Sequence, residues 1–127
     1  MSSENLHESP DVLSPLVIDR HRAIVSLMEE LEAIDWYDQR AAAATDPELV
    51  KILEHNRDEE KEHAAMVLEW IRRNDSVMDK QLRTYLFSEG SIVEVEERAE
   101  GEAPEPTRGG RVVGNLPLGN LRGSENT

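Results

Sequence analysis

The sequence predicts an all-α protein, a two-helix antiparallel hairpin followed by a short C-terminal helix. Two long stretches carry apolar residues at helical steps of three and four, with no glycine or proline inside them after their first positions. Only Thr45-Asp46-Pro47-Glu48 separates these stretches, so the helices must reverse direction tightly and pack side by side. A third, shorter apolar-patterned stretch ends before Gly90.

The first helix is expected from about residue 14 to 44. Ser14 serves as its N-cap, and Pro15 fits the first turn, where its missing N–H does no harm. Ile24, Leu27, Leu31 and Ile34 give it an apolar face, and Ala41 to Ala44 favour helix near its end. At the restart, Asp46 is the N-cap, Pro47 takes the first helical position and Glu48 complements the positive end of the helix dipole. The second helix should run from Pro47 to about Arg73, with Arg72 and Arg73 at its negative end.

Asn74-Asp75-Ser76 marks the next break. Val77, Met78, Leu82, Tyr85 and Leu86 predict the shorter helix, and Ile92, Val93 and Val95 predict one more. The domain organisation expected is a flexible N-terminal tail over 1–13, a helical domain over 14–98, and a linker with a terminal peptide over 99–127. The linker reading rests on the Glu, Pro, Gly and Arg composition from Ala99 to Gly110. Apolar residues return beyond it, at Val112, Val113, Leu116, Leu118 and Leu121.

Composition narrows the function. With 127 residues the chain suits one domain, and at 38% hydrophobic its core is modest, a situation that oligomerisation commonly remedies. The formal charge of −13, from 27 acidic against 14 basic residues, argues against binding to nucleic acid or an anionic membrane. It suits a protein that handles cations, although acidic surfaces mostly serve solubility. There is no cysteine, which excludes disulfides, thiolate metal sites and cysteine nucleophiles. The N-terminus lacks the basic and apolar regions of a signal peptide, and no apolar run approaches the ~18 residues of a membrane span. A cytoplasmic location is expected.

The informative residues are acids placed where a core should be. On the second helix Leu49, Ile52, Asn56, Glu60, His63, Val67 and Trp70 share one stripe, with Glu60 and His63 in its middle. On the first helix Ala23, Leu27, Glu30, Ile34 and Tyr37 form a similar stripe, in which Glu30 is the acid. Glu30 and Glu60 lie at similar distances from the turn, so an antiparallel hairpin sets them opposite each other. Buried carboxylates are costly unless paired or bound to metal. Glu60-Lys61-Glu62-His63 puts a carboxylate and an imidazole one turn apart on one face. Di-iron carboxylate bundles use one Glu from each of two helices and a Glu-x-x-His from each of the other two. This chain carries half of that set. Two copies related by a two-fold axis would supply all of it. Carboxylate and imidazole donors without sulfur favour iron or manganese. The alternative on the residues alone is an acidic hairpin whose Glu30 and Glu60 are paired to arginines.

The segments HRAIVSLMEELEAIDWYDQR (His21 to Arg40), HNRDEEKEHAAMVLEWIRRND (His55 to Asp75) and LRTYLFSEG (Leu82 to Gly90) resemble the encapsulated ferritins over about residues 15 to 90. The resemblance implies a ferritin-like four-helix bundle formed by dimerisation, a ring-shaped homodecamer of such dimers, and a di-iron ferroxidase centre in each. It implies that Glu30, Glu60 and His63 are iron ligands and that Tyr37 is the tyrosine near the iron. It makes Glu29, Glu32 and Trp36 a second acidic site where metal binds on its way in. On the residues alone, Glu29 and Glu32 read as a solvated face and Tyr37 and Trp36 as packing residues.

At the C-terminus, Leu116-Pro117-Leu118-Gly119-Asn120-Leu121-Arg122-Gly123 resembles the peptide that loads cargo into encapsulin shells, whose pattern runs Leu-Gly-Ile-Gly-x-Leu-Arg. Pro117 and Leu118 depart from it but leave three apolar anchors, Leu116, Leu118 and Leu121, next to Arg122. A flexible tether ending in such anchors can dock as an extended segment. The resemblance thus implies a cargo held inside an encapsulin nanocompartment that stores the mineral. The expected function is Fe(II) oxidation by oxygen. The alternatives are a metal-binding scaffold or cargo protein without turnover, and peroxide reduction at the same centre.

Overall fold

A computed structural model describes residues 5–101. Helices α1 (Pro15–Ala43), α2 (Pro47–Arg73), α3 (Ser76–Tyr85) and α4 (Ile92–Gly101) follow a short 3-10 helix at Pro10–Val12, and the described residues contain no strand. The predicted class is therefore the observed one. The expected terminal peptide, with Leu116, Leu118, Leu121 and Arg122, lies outside the described residues.

The chain divides into two units, with the boundary between Arg83 and Thr84. In the first, α1 and α2 form the hairpin. Its ends are set by local chemistry. The Ser14 hydroxyl accepts from the Val17 N–H at 3.2 Å, and the Asp46 carboxylate accepts from the Leu49 N–H at 2.9 Å, each satisfying a donor that has no partner within its helix. Asp75 does the same for the Met78 N–H at 3.0 Å as α3 begins. Polar links cross or close the hairpin. Arg20 Nε donates to the Asn74 carbonyl at 2.7 Å, Glu30 meets His63, and Arg57 Nη1 donates to Asp38 Oδ1 at 3.1 Å. Along α1 these partners ascend while along α2 they descend, as an antiparallel pair requires.

Val50, Leu53, Arg57, Glu60, Ala64, Val67 and Ile71 of α2, spaced alternately three and four, are buried or half-buried, as are Asn56, Leu68, Glu69 and Arg72. The sequence pattern points instead to the stripe containing Leu49, Ile52, His63 and Trp70, and all four of these are exposed. Both stripes are real. Helix α2 has a broad apolar arc, and one partner helix covers only part of it. The uncovered part continues on α1 through Ile24, Met28 and Leu31. Ala41, Ala64 and Ile71 are the buried apolar residues of the hairpin among the described residues.

An ion network closes the far end of this unit. Arg72 donates to both carboxylate oxygens of Glu69 at 2.8 Å and reaches Asp79 of α3, which in turn accepts from Arg83 at 2.9 Å. In the second unit, Phe87 adopts a left-handed conformation (φ 62°) that ends the helical path after Tyr85, with the Ser88 N–H and hydroxyl both donating to the Tyr85 carbonyl. Ser91 then caps α4 through the Glu94 N–H, and Val95 is buried. Helix α4 extends into the stretch expected as linker. No helix among the described residues is long and apolar enough to cross a membrane.

Candidate metal centre

Glu30 projects from the middle of α1, and Glu60 and His63 from one face of α2. Each offers a ligand atom, and these atoms all lie within 4.8 Å of one another. His63 Nδ1 stands 3.1 Å from Glu60 Oε1 and 3.8 Å from Glu30 Oε1. The i, i+3 spacing of Glu60 and His63 sets the first distance, and the hairpin register sets the second. The two glutamates are part-buried and the imidazole is exposed. The nearby Arg57 does not neutralise the glutamates; its guanidinium is committed to Asp38 and Asp58.

The electrostatics follow from this crowding. The hydrogen bond to Glu60 raises the Glu30 pKa above the ordinary carboxylate range. Burial and the Glu60 charge push the same way, while His63 opposes them. The same hydrogen bond, together with one from His63, lowers Glu60. The hydrogen bond to Glu60, with the charges of Glu30 and Glu60, raises His63. Two adjacent carboxylates beside one imidazole thus make a place where added positive charge is favourable. Two oxygen donors and one nitrogen donor, with no sulfur, match the preferences of Fe(II) and Mn(II). Three protein donors still fall short of a complete shell for two such ions.

Among the described residues this is the one cluster of three or more His, Asp or Glu donors able to hold a metal ion. Glu29, Glu32 and Trp36 are exposed on α1 and are not part of it. Glu29 acts on the cluster through charge, adding to the rise in the Glu30 pKa. Tyr37 is part-buried, and the Arg40 guanidinium lies over its ring at 5.6 Å and over the Trp36 ring at 5.9 Å. Sequence reasoning missed this stack, although the i, i+3 and i, i+4 spacing from Trp36 and Tyr37 to Arg40 was a readable signal.

The family model described as EncFtn-like matches residues 5–89. The chain belongs to this family. This EncFtn-like chain is 55% identical to the encapsulated ferritin-like protein of Rhodospirillum rubrum, over 96% of its own length and 91% of that protein's. It is 50% identical to a ferritin-like protein of Thermotoga maritima, over 78% and 87% of the two chains. A crystal structure of a Nitrosomonas europaea protein is 58% identical and superposes with a TM-score of 0.67, covering 69% of this chain and 97% of that one. The EncFtn-like fold is thus shared with that structure, and an iron-related, ferritin-like role follows from the family.

Proposed function

We propose that this protein is a ferroxidase that oxidises Fe(II) to Fe(III) with oxygen at a centre shared by two copies of the chain. The convergence of Glu30, Glu60 and His63 carries this reading. Fe(II) is the substrate. Glu30 and Glu60 bind it with negative charge and can bridge two ions, and His63 gives up its proton to become a nitrogen ligand. Ferric iron carries more positive charge than ferrous iron, so a carboxylate-rich site favours the oxidised product. Tyr37 lies near the oxidised ions in this scheme, and Glu29, Glu32 and Trp36 receive incoming iron.

The exposed apolar residues support the pairing. Leu49, Ile52 and Trp70 on α2 and Ile24, Met28 and Leu31 on α1 flank the donors, too much apolar surface for a stable hairpin alone. A two-fold dimer that covers them brings two sets of donors together and forms a four-helix bundle. Such dimers then close into the ring expected of a homodecamer.

The terminal peptide from Leu116 to Arg122 serves in this reading as the address for an encapsulin shell, which receives the oxidised iron. Deleting residues 116–127 should abolish loading into a co-expressed shell, and unchanged loading would refute that assignment.

The deciding experiment is the initial rate of aerobic Fe(II) oxidation by the full chain and by His63→Ala. A rate well above buffer that the substitution removes supports the ferroxidase. No rate above buffer, from folded and assembled protein, overturns it.

A further inference from the structure

Arg57 occupies a place where the packing pattern calls for an apolar residue. It lies on the α2 stripe that faces α1, between Leu53 and Glu60, and its side chain is only 22% exposed. Its stem is therefore packed while its head leaves the interface. The head reaches across the hairpin, with Nη1 donating to Asp38 Oδ1 at 3.1 Å, while Nε donates to Asp58 at the same distance.

We infer that the Asp38–Arg57 pair is a positioning device for the Glu30, Glu60 and His63 donors. Arg57 is one helical turn before Glu60 on the same face, so whatever fixes Arg57 also fixes Glu60 and His63. Asp38 is on the same helix as Glu30. The pair therefore ties the two halves of the donor group together by way of their own helices. The short turn sets the coarse register of the hairpin, and the pair holds its fine placement beyond the turn. A slip of one residue moves a helix by ~1.5 Å and turns it by roughly 100°. A working site tolerates about 0.5 Å. Asp38 is 64% exposed, so the pair adds little to stability, and its effect falls on register.

This inference rests on the metal-site reading above, and the test separates the two. Co(II) is titrated into the full chain and its ligand-field absorption recorded, for the unmodified protein, His63→Ala, Asp38→Asn, Arg57→Leu and Arg57→Lys. Asp38→Asn and Arg57→Leu change net charge in opposite directions. If charge alone mattered, removing the arginine would tighten cation binding and removing the aspartate would weaken it. Positioning predicts that both weaken Co(II) binding by a few fold, within what an exposed pair can supply, and alter the absorption bands. Arg57→Lys, which keeps the charge and the reach, recovers most of the loss. Circular dichroism establishes that each variant is folded, and Asp38→Asn keeps the packed arginine stem should Arg57→Leu fail to fold. Co(II) binding by Arg57→Leu as tight as, or tighter than, that of the unmodified protein would overturn the inference alone. Identical titrations for the unmodified protein and His63→Ala would overturn the metal site itself.

Discussion

Glu30 and Glu60 face each other from antiparallel helices and share a hydrogen bond that pushes their pKa values apart, Glu30 up and Glu60 down. Like charges so close cannot both ionise freely. His63 stands between them, its Nδ1 within 4 Å of both carboxylates. In the proposed metal centre a divalent ion takes this place with more charge than the imidazole offers.

Glu30→Gln should expose this compromise. The amide keeps the shape and can still donate to Glu60, but it removes one of two repelling acids. Metal-free stability should stay level or rise, while the initial Fe(II) oxidation rate should fall by at least about tenfold. Thermal unfolding in chelator and a stopped-flow oxidation assay check the two arms. Lower stability with full activity would assign Glu30 to structure instead.

Metal should also control assembly. If the centre is completed by a second copy, an ion that binds only the dimer stabilises it by mass action, by about 2.7 kcal/mol at a hundredfold excess over Kd. Sedimentation with anaerobic Fe(II) should show a larger species than sedimentation in chelator, and His63→Ala should shrink that difference. The same assembly in both conditions would mean that the exposed apolar stripes suffice for pairing.

Much of this was legible in the sequence, and the exceptions have a common cause. Ser14, Asp46 and Pro47 announced their helix starts because capping is local chemistry, carried by a few neighbouring residues. Glu30 opposite Glu60 was legible because a short turn fixes antiparallel register. The stripe read along α2 shares Glu60 and Val67 with the side that meets α1, while its Leu49, Ile52, His63 and Trp70 are exposed. Leu49 and Ile52 are as apolar as Val50 and Leu53, and periodicity cannot say which of two adjacent stripes meets a helix of the same chain. The Asp38–Arg57 and Arg72–Asp79 pairs were also invisible, since each joins residues that only the fold brings together.

The Glu69 network predicts an acid sensitivity. Hydrogen bonds from Arg72, and then from Arg73, lower the Glu69 pKa from 4.5 to about 2. A carboxylate depressed in the folded state contributes stability that is complete above its ordinary pKa and is lost as pH falls through the folded value. The window is therefore from about pH 4.5 down to about pH 2. Glu69 is 42% exposed, so solvent screening keeps the effect modest. Glu69→Gln should be less stable than the unmodified protein near neutral pH, and the gap should narrow as pH falls through this window. Urea midpoints measured across that range check it, and a gap that stays constant would show that the pair contributes nothing to acid stability.

The turn between α1 and α2 carries the last prediction. Asp46 satisfies the Leu49 N–H at 2.9 Å, and Pro47 behind it fixes the first helical residue. Asp46→Ala removes the acceptor and leaves that N–H to water, at a cost of about 1 kcal/mol. Asp46→Asn keeps an oxygen acceptor and should retain most of the stability, which distinguishes capping from the loss of a charge at the helix dipole. Thermal unfolding at fixed protein concentration ranks the three proteins. The expected order is unmodified, then Asp46→Asn, then Asp46→Ala. If the asparagine variant falls as far as the alanine variant, the charge rather than the cap holds the turn.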